Sequence, residues 1–316
     1  MSSLVFWLYA ILLLLTACRP EPAAVGIPTP SAEPTQTFPT PYPSDTPTRP
    51  SSSTPPPTPT SKPEAPPLCD PFIQAFCIES GPFPLLRPIR PPANDAVEPT
   101  YRFASTANGM RDVHHGVEFV NPSGTPVYAA AAGEVIFDGP DRHALYSPWR
   151  NFYGNLVVLR HSLDLFTFYA HLSAIDVQAG HLVAAGEPIG RVGATGGALG
   201  SHLHFEVRLG QATDYHAAVN PELWMQPRAG EGVLVISVLD SRTRAFRPAR
   251  LTVQTQGRTY FLRTYEAIFP QAHENAALGD LPEGEYRVVC QAGAGLHERR
   301  VEVKSGKLTR VIFLIP

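Results

Sequence analysis

Two histidines stand one residue apart in "SHLHFE", residues 201–206, inside an otherwise apolar run. Side chains of a β-strand alternate between two faces, so His202 and His204 would share one face while Leu203 and Phe205 take the other. Two imidazoles side by side are suited to metal binding or proton transfer. The same pair is equally compatible with the polar face of a half-buried strand, so the pair alone does not decide.

A second cluster lies upstream in "RDVHHGVEF". If residues 112–119 form a strand, His114, Gly116 and Glu118 share a face, and the glycine leaves that face open to an ion or substrate. Catalytic zinc is commonly held by three His or Asp/Glu ligands plus a water. His114, Glu118 and one histidine of the H-x-H pair would supply such a set. His171, in "FTFYAHLSAI" at the end of another apolar run, adds a spare imidazole.

The stretch from Tyr101 to Trp224 resembles the M23 or LytM-type (lysostaphin-type) zinc endopeptidases, which cut bacterial peptidoglycan. Six blocks carry the resemblance in the family's order: "HHGVEF", "GTPVYAAAAGEV", "YGNLVVLRH", "YAHLSAI", "GEPIGRVGATG" and "GSHLHFEVR". A lone H-x-H is weak evidence, whereas the six blocks together are strong. The resemblance implies one Zn²⁺ ion as cofactor and peptidoglycan peptides as substrate.

The resemblance also implies a role for each matching residue. His114 and His204 correspond to the family's histidine ligands, and Glu118 stands where the H-x-x-x-D motif has its aspartate. Glutamate is one methylene longer but can still bind zinc through an oxygen at about 2.0–2.2 Å. His171 and His202 match the two catalytic histidines that do not bind the metal. Such imidazoles take or give protons while zinc activates the attacking water.

Two other functions remain open: a non-catalytic LytM-like activator of a cell-wall amidase, and a module that binds wall peptides without cutting them. Activators of that kind usually lack the metal-site residues, whereas here only the carboxylate is altered, which favours the enzyme. The net charge of −3 and the absence of a Lys/Arg block exclude nucleic acid as a partner. The sequence does not predict an oligomeric state.

Two further histidines are predicted to lie outside the site. His115 should point to the opposite strand face from His114 and be packed or hydrogen-bonded. His161, in "VVLRHSL", is interpreted as structural or as part of the rim of the site.

Residues 1–18 are predicted to be a lipoprotein signal peptide. Their apolar stretch is too short for a comfortable membrane span. The sequence "LTAC" resembles a lipobox, which implies lipidation of Cys18 and anchoring to a membrane on the extracytoplasmic side of the cell envelope. Residues 19–68 contain 17 of the 35 prolines and are predicted to be a disordered Pro/Thr/Ser-rich stalk, extended at about 3.1 Å per residue where polyproline II forms.

The rest of the chain is predicted to be mainly β, in two domains. Residues 69–228 would form an M23-like zinc peptidase domain of antiparallel β-sheet. Residues 229–316 show short alternating runs separated by Gly/Pro/Asp turns, which indicate a small β-sandwich that could be a spacer, a folding aid or a wall-binding module. Cys69 and Cys77 could form a disulfide in an oxidising compartment, and Cys290 would then be a buried strand thiol.

Overall fold

The computed structural model describes residues 69–266 and 269–316, within one compact unit that spans Ala65–Pro316. The predicted signal peptide, Cys18 and the predicted stalk lie outside the described residues. Within those residues the regular structure is almost entirely β, with three one-turn 3-10 helices, which confirms the mainly β fold class. No helix in the described ranges is long and apolar enough to cross a membrane.

The strands are numbered along the chain. Those before residue 229 are β1 (Cys77–Glu79), β2 (Val117–Val120), β3 (Pro126–Tyr128), β4 (Gly133–Pro140), β5 (Asn155–Arg160), β6 (Leu165–Ala170), β7 (Ala174–Ile175), β8 (Leu182–Val183), β9 (Pro188–Arg191), β10 (His202–Leu209) and β11 (Ala218–Val219). Those after it are β12 (Glu231–Asp240), β13 (Arg250–Thr255), β14 (Arg258–Arg263), β15 (Ala276–Pro282), β16 (Gly284–Ala292), β17 (Gly295–Val303) and β18 (Leu308–Ile315). The 3-10 helices cover Ser162–Asp164, Tyr215–Ala217 and Pro221–Leu223.

Strand β10 belongs to a seven-stranded antiparallel sheet, in which it lies next to the edge strands β11 and β2. The order of the sheet is β11-β10-β6-β5-β4-β8, and β2 pairs with the first part of β10. Leu203 and Phe205 point from β10 into an apolar core that also holds residues of the small sheet β3-β9-β7. The alternation predicted for "SHLHFE" is therefore confirmed, and the histidines of β10 face away from that core.

The C-terminal part consists of two four-stranded sheets, β1-β18-β12-β15 and β14-β13-β16-β17, which enclose a second apolar core. The pairing is antiparallel except between β12 and β18, which run parallel. The run "VLVISVLD" of β12 is buried along its whole length, because Val233 and Val235 pack on Phe83 and Leu223 on the opposite side from the second core. The expected alternation is absent there since both faces of the strand are covered.

The cysteines in the described part of the chain are in the states that the sequence suggests. Cys69 and Cys77 form a disulfide, and Cys290 is a free thiol buried in β16. Cys77 also begins β1, which pairs with β18 at the C-terminal end of the chain. Strand β1 thus lies in a sheet of the C-terminal part, and independent folding of residues 69–228 and 229–316 stays a prediction.

Candidate metal centre and catalytic cavity

Three side chains from distant parts of the sequence converge beside β10. One ligand-type atom from each of His114, Glu118 and His204 lies within 4.8 Å of the other two. Glu118 Oε1 is 2.9 Å from His114 Nε2 and 3.1 Å from His204 Nδ1, and the two nitrogens are 3.2 Å apart. Glu118 and His204 are directly opposite each other in the β2–β10 pairing.

The predicted strand over 112–119 begins only at Val117, so His114 precedes it. The intervening Gly116 is needed for close packing: a Cβ there would lie 2.4 Å from the Phe205 carbonyl oxygen and 2.9 Å from the His204 ring. The glycine thus lets the chain approach β10, whereas the sequence suggested that it opens the face to an ion. The approach brings His114 against His204.

Hydrogen bonds set which nitrogen of each imidazole faces the cluster. His114 Nδ1–H donates to the Arg102 carbonyl oxygen at 3.2 Å, which leaves the lone pair of Nε2 directed at Glu118. His204 Nε2–H donates to Glu206 Oε1 at 2.9 Å, which leaves Nδ1 directed at the cluster. Two imidazole lone pairs and one carboxylate oxygen therefore meet at a single point.

This donor set fits a divalent metal ion. Two imidazole nitrogens and a carboxylate oxygen are typical zinc ligands. Glu118 Oε2 is buried and accepts no hydrogen bond, although His202 Nε2 lies 3.3 Å away. The extra methylene of glutamate does not keep its carboxylate from the cluster.

The electrostatics of the cluster show the same demand for a cation. Burial would lower the pKa of His204, but the Glu118 and Glu206 carboxylates outweigh it and raise the pKa to about 10. Burial would likewise raise the pKa of Glu118, yet His204 and His114 hold it well below its usual range. Without a metal, a proton on His204 supplies the positive charge that the two carboxylates require.

His171 and His202 lie next to the cluster. His171 follows β6 with a positive φ of 63°, and its Nδ1–H donates to the Thr195 carbonyl oxygen at 2.8 Å. His202 Nδ1–H donates to the Gly200 carbonyl oxygen at 2.9 Å, so both rings keep an Nε2 lone pair. The ring centroids of His171 lie 4.9 Å from His202 and 5.7 Å from His204. Burial, together with the charge of His204, lowers the pKa of His171 to about 3, which keeps it neutral.

One open cavity of about 570 Å³ brings all five predicted site residues together. The glycine-rich stretch before β10 forms one wall, in which Gly197 and Leu199 line the cavity. Leu199 is 84% exposed, so this wall offers an apolar side chain to an incoming ligand. The other wall holds Tyr101 and Tyr215.

Three buried residues behind His204 were not identified from the sequence. Arg208 donates to Glu206 Oε2 through Nε at 2.9 Å and Nη2 at 2.7 Å, and both side chains are fully buried. Tyr153 O–H donates to Glu206 Oε1 at 2.7 Å. A signal was available, since His202, His204, Glu206 and Arg208 occupy alternate positions of one strand and so share a face.

Of the two histidines to which the sequence assigned no metal or catalytic role, His115 also lines the cavity, whereas His161 is not among its lining residues. His115 is buried with its ring centroid 3.7 Å from that of Tyr215, and burial lowers its pKa to about 4. His161 Nδ1–H donates to the Ala132 carbonyl oxygen at 2.8 Å, and Nε2 accepts from Thr167 Oγ1 at 2.8 Å. Both are packed or hydrogen-bonded structural residues.

The chain is similar to known proteins over part of its length. It is 42% identical over 97 residues to the DD-carboxypeptidase/endopeptidase Mpg of Neisseria meningitidis, covering 31% of this chain and 20% of Mpg. It is 39% identical over 98 residues to the peptidoglycan DD-endopeptidase ShyC of Vibrio cholerae, covering 31% of this chain and 21% of ShyC. It is 35% identical over 127 residues to the uncharacterized lipoprotein YgeR of Escherichia coli, covering 40% of this chain and 44% of YgeR.

The chain thus spans about a fifth of Mpg and ShyC and less than half of YgeR. The model of peptidase family M23 matches residues 112–221. Those residues contain His114, Glu118, His171, His202 and His204. Over residues 112–221, which hold the candidate site, the chain is therefore similar to peptidase family M23.

Proposed function

We propose that the chain is a zinc-dependent endopeptidase that hydrolyses peptide bonds of bacterial peptidoglycan. The observation that carries the proposal is the cavity in which a His/Glu/His cluster lies beside two further imidazoles with free Nε2 atoms. The names of Mpg and ShyC, which both include an endopeptidase activity, support the same reaction class.

In this proposal His114, Glu118 and His204 hold the zinc ion. Bound zinc would polarise the scissile carbonyl and make its water more acidic. Glu206, backed by Arg208, keeps His204 in the tautomer that a ligand needs, because its carboxylate accepts the Nε2 proton.

His171 and His202 would move protons. Each has its Nδ1–H committed to a backbone carbonyl, so each can accept a proton only at Nε2, which faces the cavity. Such a group can take a proton from the attacking water and deliver it to the leaving amine. Of the two, His202 is nearer to the carboxylate of the cluster: its Nε2 lies 3.3 Å from Glu118 Oε2.

We further propose that the protein is exported and anchored through lipidated Cys18. The support is the "LTAC" sequence and the wall-directed names of the relatives, one of which is a lipoprotein. Such an anchor would hold the peptidase on the extracytoplasmic side, where its proposed substrate lies.

Substitutions separate ligands from proton carriers. His114→Ala, Glu118→Ala and His204→Ala should each lose both zinc and activity, measured by metal analysis and by amine release from purified walls. His202→Ala and His171→Ala should keep near-stoichiometric zinc and cleave at least ~10²-fold more slowly. Glu118→Asp should keep zinc, and His143→Ala, an exposed residue outside the cavity, is the control.

The proposal fails if the unmutated protein carries no zinc after purification without chelators and releases no amines when zinc is supplied. Stimulation of a wall amidase by that inactive protein would then assign it the activator function instead.

A further inference from the structure

Of the three proposed ligands, His114 alone lies outside a strand. It belongs to residues 101–115, which we call the His114 segment. Its N–H donates to the Ser105 carbonyl oxygen at 3.0 Å, and its own carbonyl accepts from Ala104 N–H at 2.8 Å. Its Nδ1–H donates to the Arg102 carbonyl oxygen. Residues 102–105 therefore determine where the His114 backbone lies and how its ring is oriented.

Those residues are in turn held by the C-terminal part. The connection between β14 and β15, described at residues 264–266 and 269–275, is called here the β14–β15 loop. Glu266 Oε2 accepts from both Thr106 N–H and Thr106 Oγ1–H at 2.6 Å. Glu266 N–H donates to the Ala104 carbonyl oxygen at 3.2 Å. Glu266 thus hydrogen-bonds to the His114 segment at two positions, Ala104 and Thr106.

An aromatic contact also holds the His114 segment against the β14–β15 loop. Phe269 and Phe103 are each 4% exposed, with ring centroids 4.6 Å apart. The Phe269 ring also meets the edge of His115, the residue after His114, at 5.3 Å. Residues 102–105 and 114–115 hydrogen-bond to each other, and Phe269 contacts both stretches, at Phe103 and at His115.

We propose that the β14–β15 loop positions His114 for metal binding, with Glu266 and Phe269 as positioning residues, so that the C-terminal part completes the metal site. The inference rests on the ligand role of His114 in the proposed function. If these contacts are lost, the segment gains conformational freedom, and metal binding must then order it at a cost in affinity.

The test is a zinc titration of the full chain against a competing chelator. Glu266→Ala and Phe269→Ala should each raise the zinc Kd by at least ~10-fold, the range seen when groups that orient a ligand are removed. Glu266→Gln, which keeps an oxygen acceptor for Thr106, should raise it much less. Tyr286→Ala is the matched control, because Tyr286 is buried in the second core and belongs to no contact with the segment.

Hydrogen exchange of the metal-free chain gives a second readout. Phe269→Ala should speed exchange of the Ala104 and His114 amides, while Tyr286→Ala should not do so selectively. If Phe269→Ala does not fold, Glu266→Ala decides, since Glu266 lies at the surface.

The inference would be overturned by an unchanged zinc Kd in the folded loop variants, or by an equal loss of affinity in Tyr286→Ala, which would indicate general destabilisation. A chain that binds no zinc would also overturn it. If the unmutated chain binds zinc but cleaves no wall peptide, the proposed function fails while the positioning role stands on the titration.

Discussion

The two histidines proposed to bind the metal are held in different ways. His204 lies in β10, between β2 and β6, and the strand pairing alone places it opposite Glu118. His114 lies in no strand and is held by residues 102–105, which the β14–β15 loop supports from about 160 residues further along the chain. One ligand is placed by the register of a sheet, and the other by the packing of two distant chain regions.

The supporting chemistry differs as well. Behind His204, the Glu206–Arg208 pair is fully buried, so Arg208 depends on Glu206 for its counter-charge. Behind His114, the supports are a surface carboxylate and stacked aromatic rings, which include Tyr101 at 4.1 Å from the His114 ring. Changes on the β10 side should therefore cost mainly stability, whereas changes on the segment side should cost mainly metal affinity.

The largest effect on stability is expected on the β10 side. Glu206→Gln keeps the shape but leaves the Arg208 guanidinium buried without its counter-charge, at a cost of about 3–5 kcal/mol in the free energy of unfolding. Urea denaturation measures it. Glu134→Gln, at an exposed pair with Arg160, is the control and should change the same quantity by less than about 1 kcal/mol. If Glu206→Gln lowered the free energy of unfolding as little as Glu134→Gln does, the β10 side would not be the part that carries stability.

A smaller effect is expected at the junction of the segment with the C-terminal part. Glu222 Oε2 pairs with Arg102 and accepts from the Gly279 N–H of β15 at 2.6 Å, and its side chain is 1% exposed. Glu222→Gln should lower the free energy of unfolding by about 1–3 kcal/mol, because one buried partner loses its charge. The zinc Kd should rise in the same variant, since Arg102 provides the carbonyl that orients His114. Glu298→Gln, at an exposed pair with Arg287, should leave both quantities unchanged.

The smallest expected effect is on the pH dependence of the free energy of unfolding. Burial lowers the pKa of His161, so its folded-state value lies below that of the unfolded chain, about 6.5. As pH falls below about 6.5, the unfolded chain binds a proton that the folded chain does not, and stability is lost. His161→Gln should therefore reduce the difference in unfolding free energy between pH 7 and pH 5. An equal difference in both proteins would show that other groups cause it.

The sequence by itself determined five of the residues that line the cavity and the faces of the strand that carries two of them. The period of two in "HLHFEVR" placed His202 and His204 on one face of β10 and their apolar neighbours in the core. The six motif blocks pointed to His114, Glu118, His171, His202 and His204, all of which line the one cavity. The short spacing of Cys69 and Cys77 was compatible with the disulfide that forms.

Only the tertiary structure decided how those side chains are held. Residues 112–116 were considered as the start of a strand, but His114 hydrogen-bonds to Ala104 and Ser105 instead, and Gly116 packs directly on β10. The burial of β12 on both faces and the contact of Phe269 with Phe103 likewise depend on which distant segments meet. Strand periodicity is a local property and fixes the face of a side chain, whereas the supports of the His114 segment come from contacts made between remote parts of the chain.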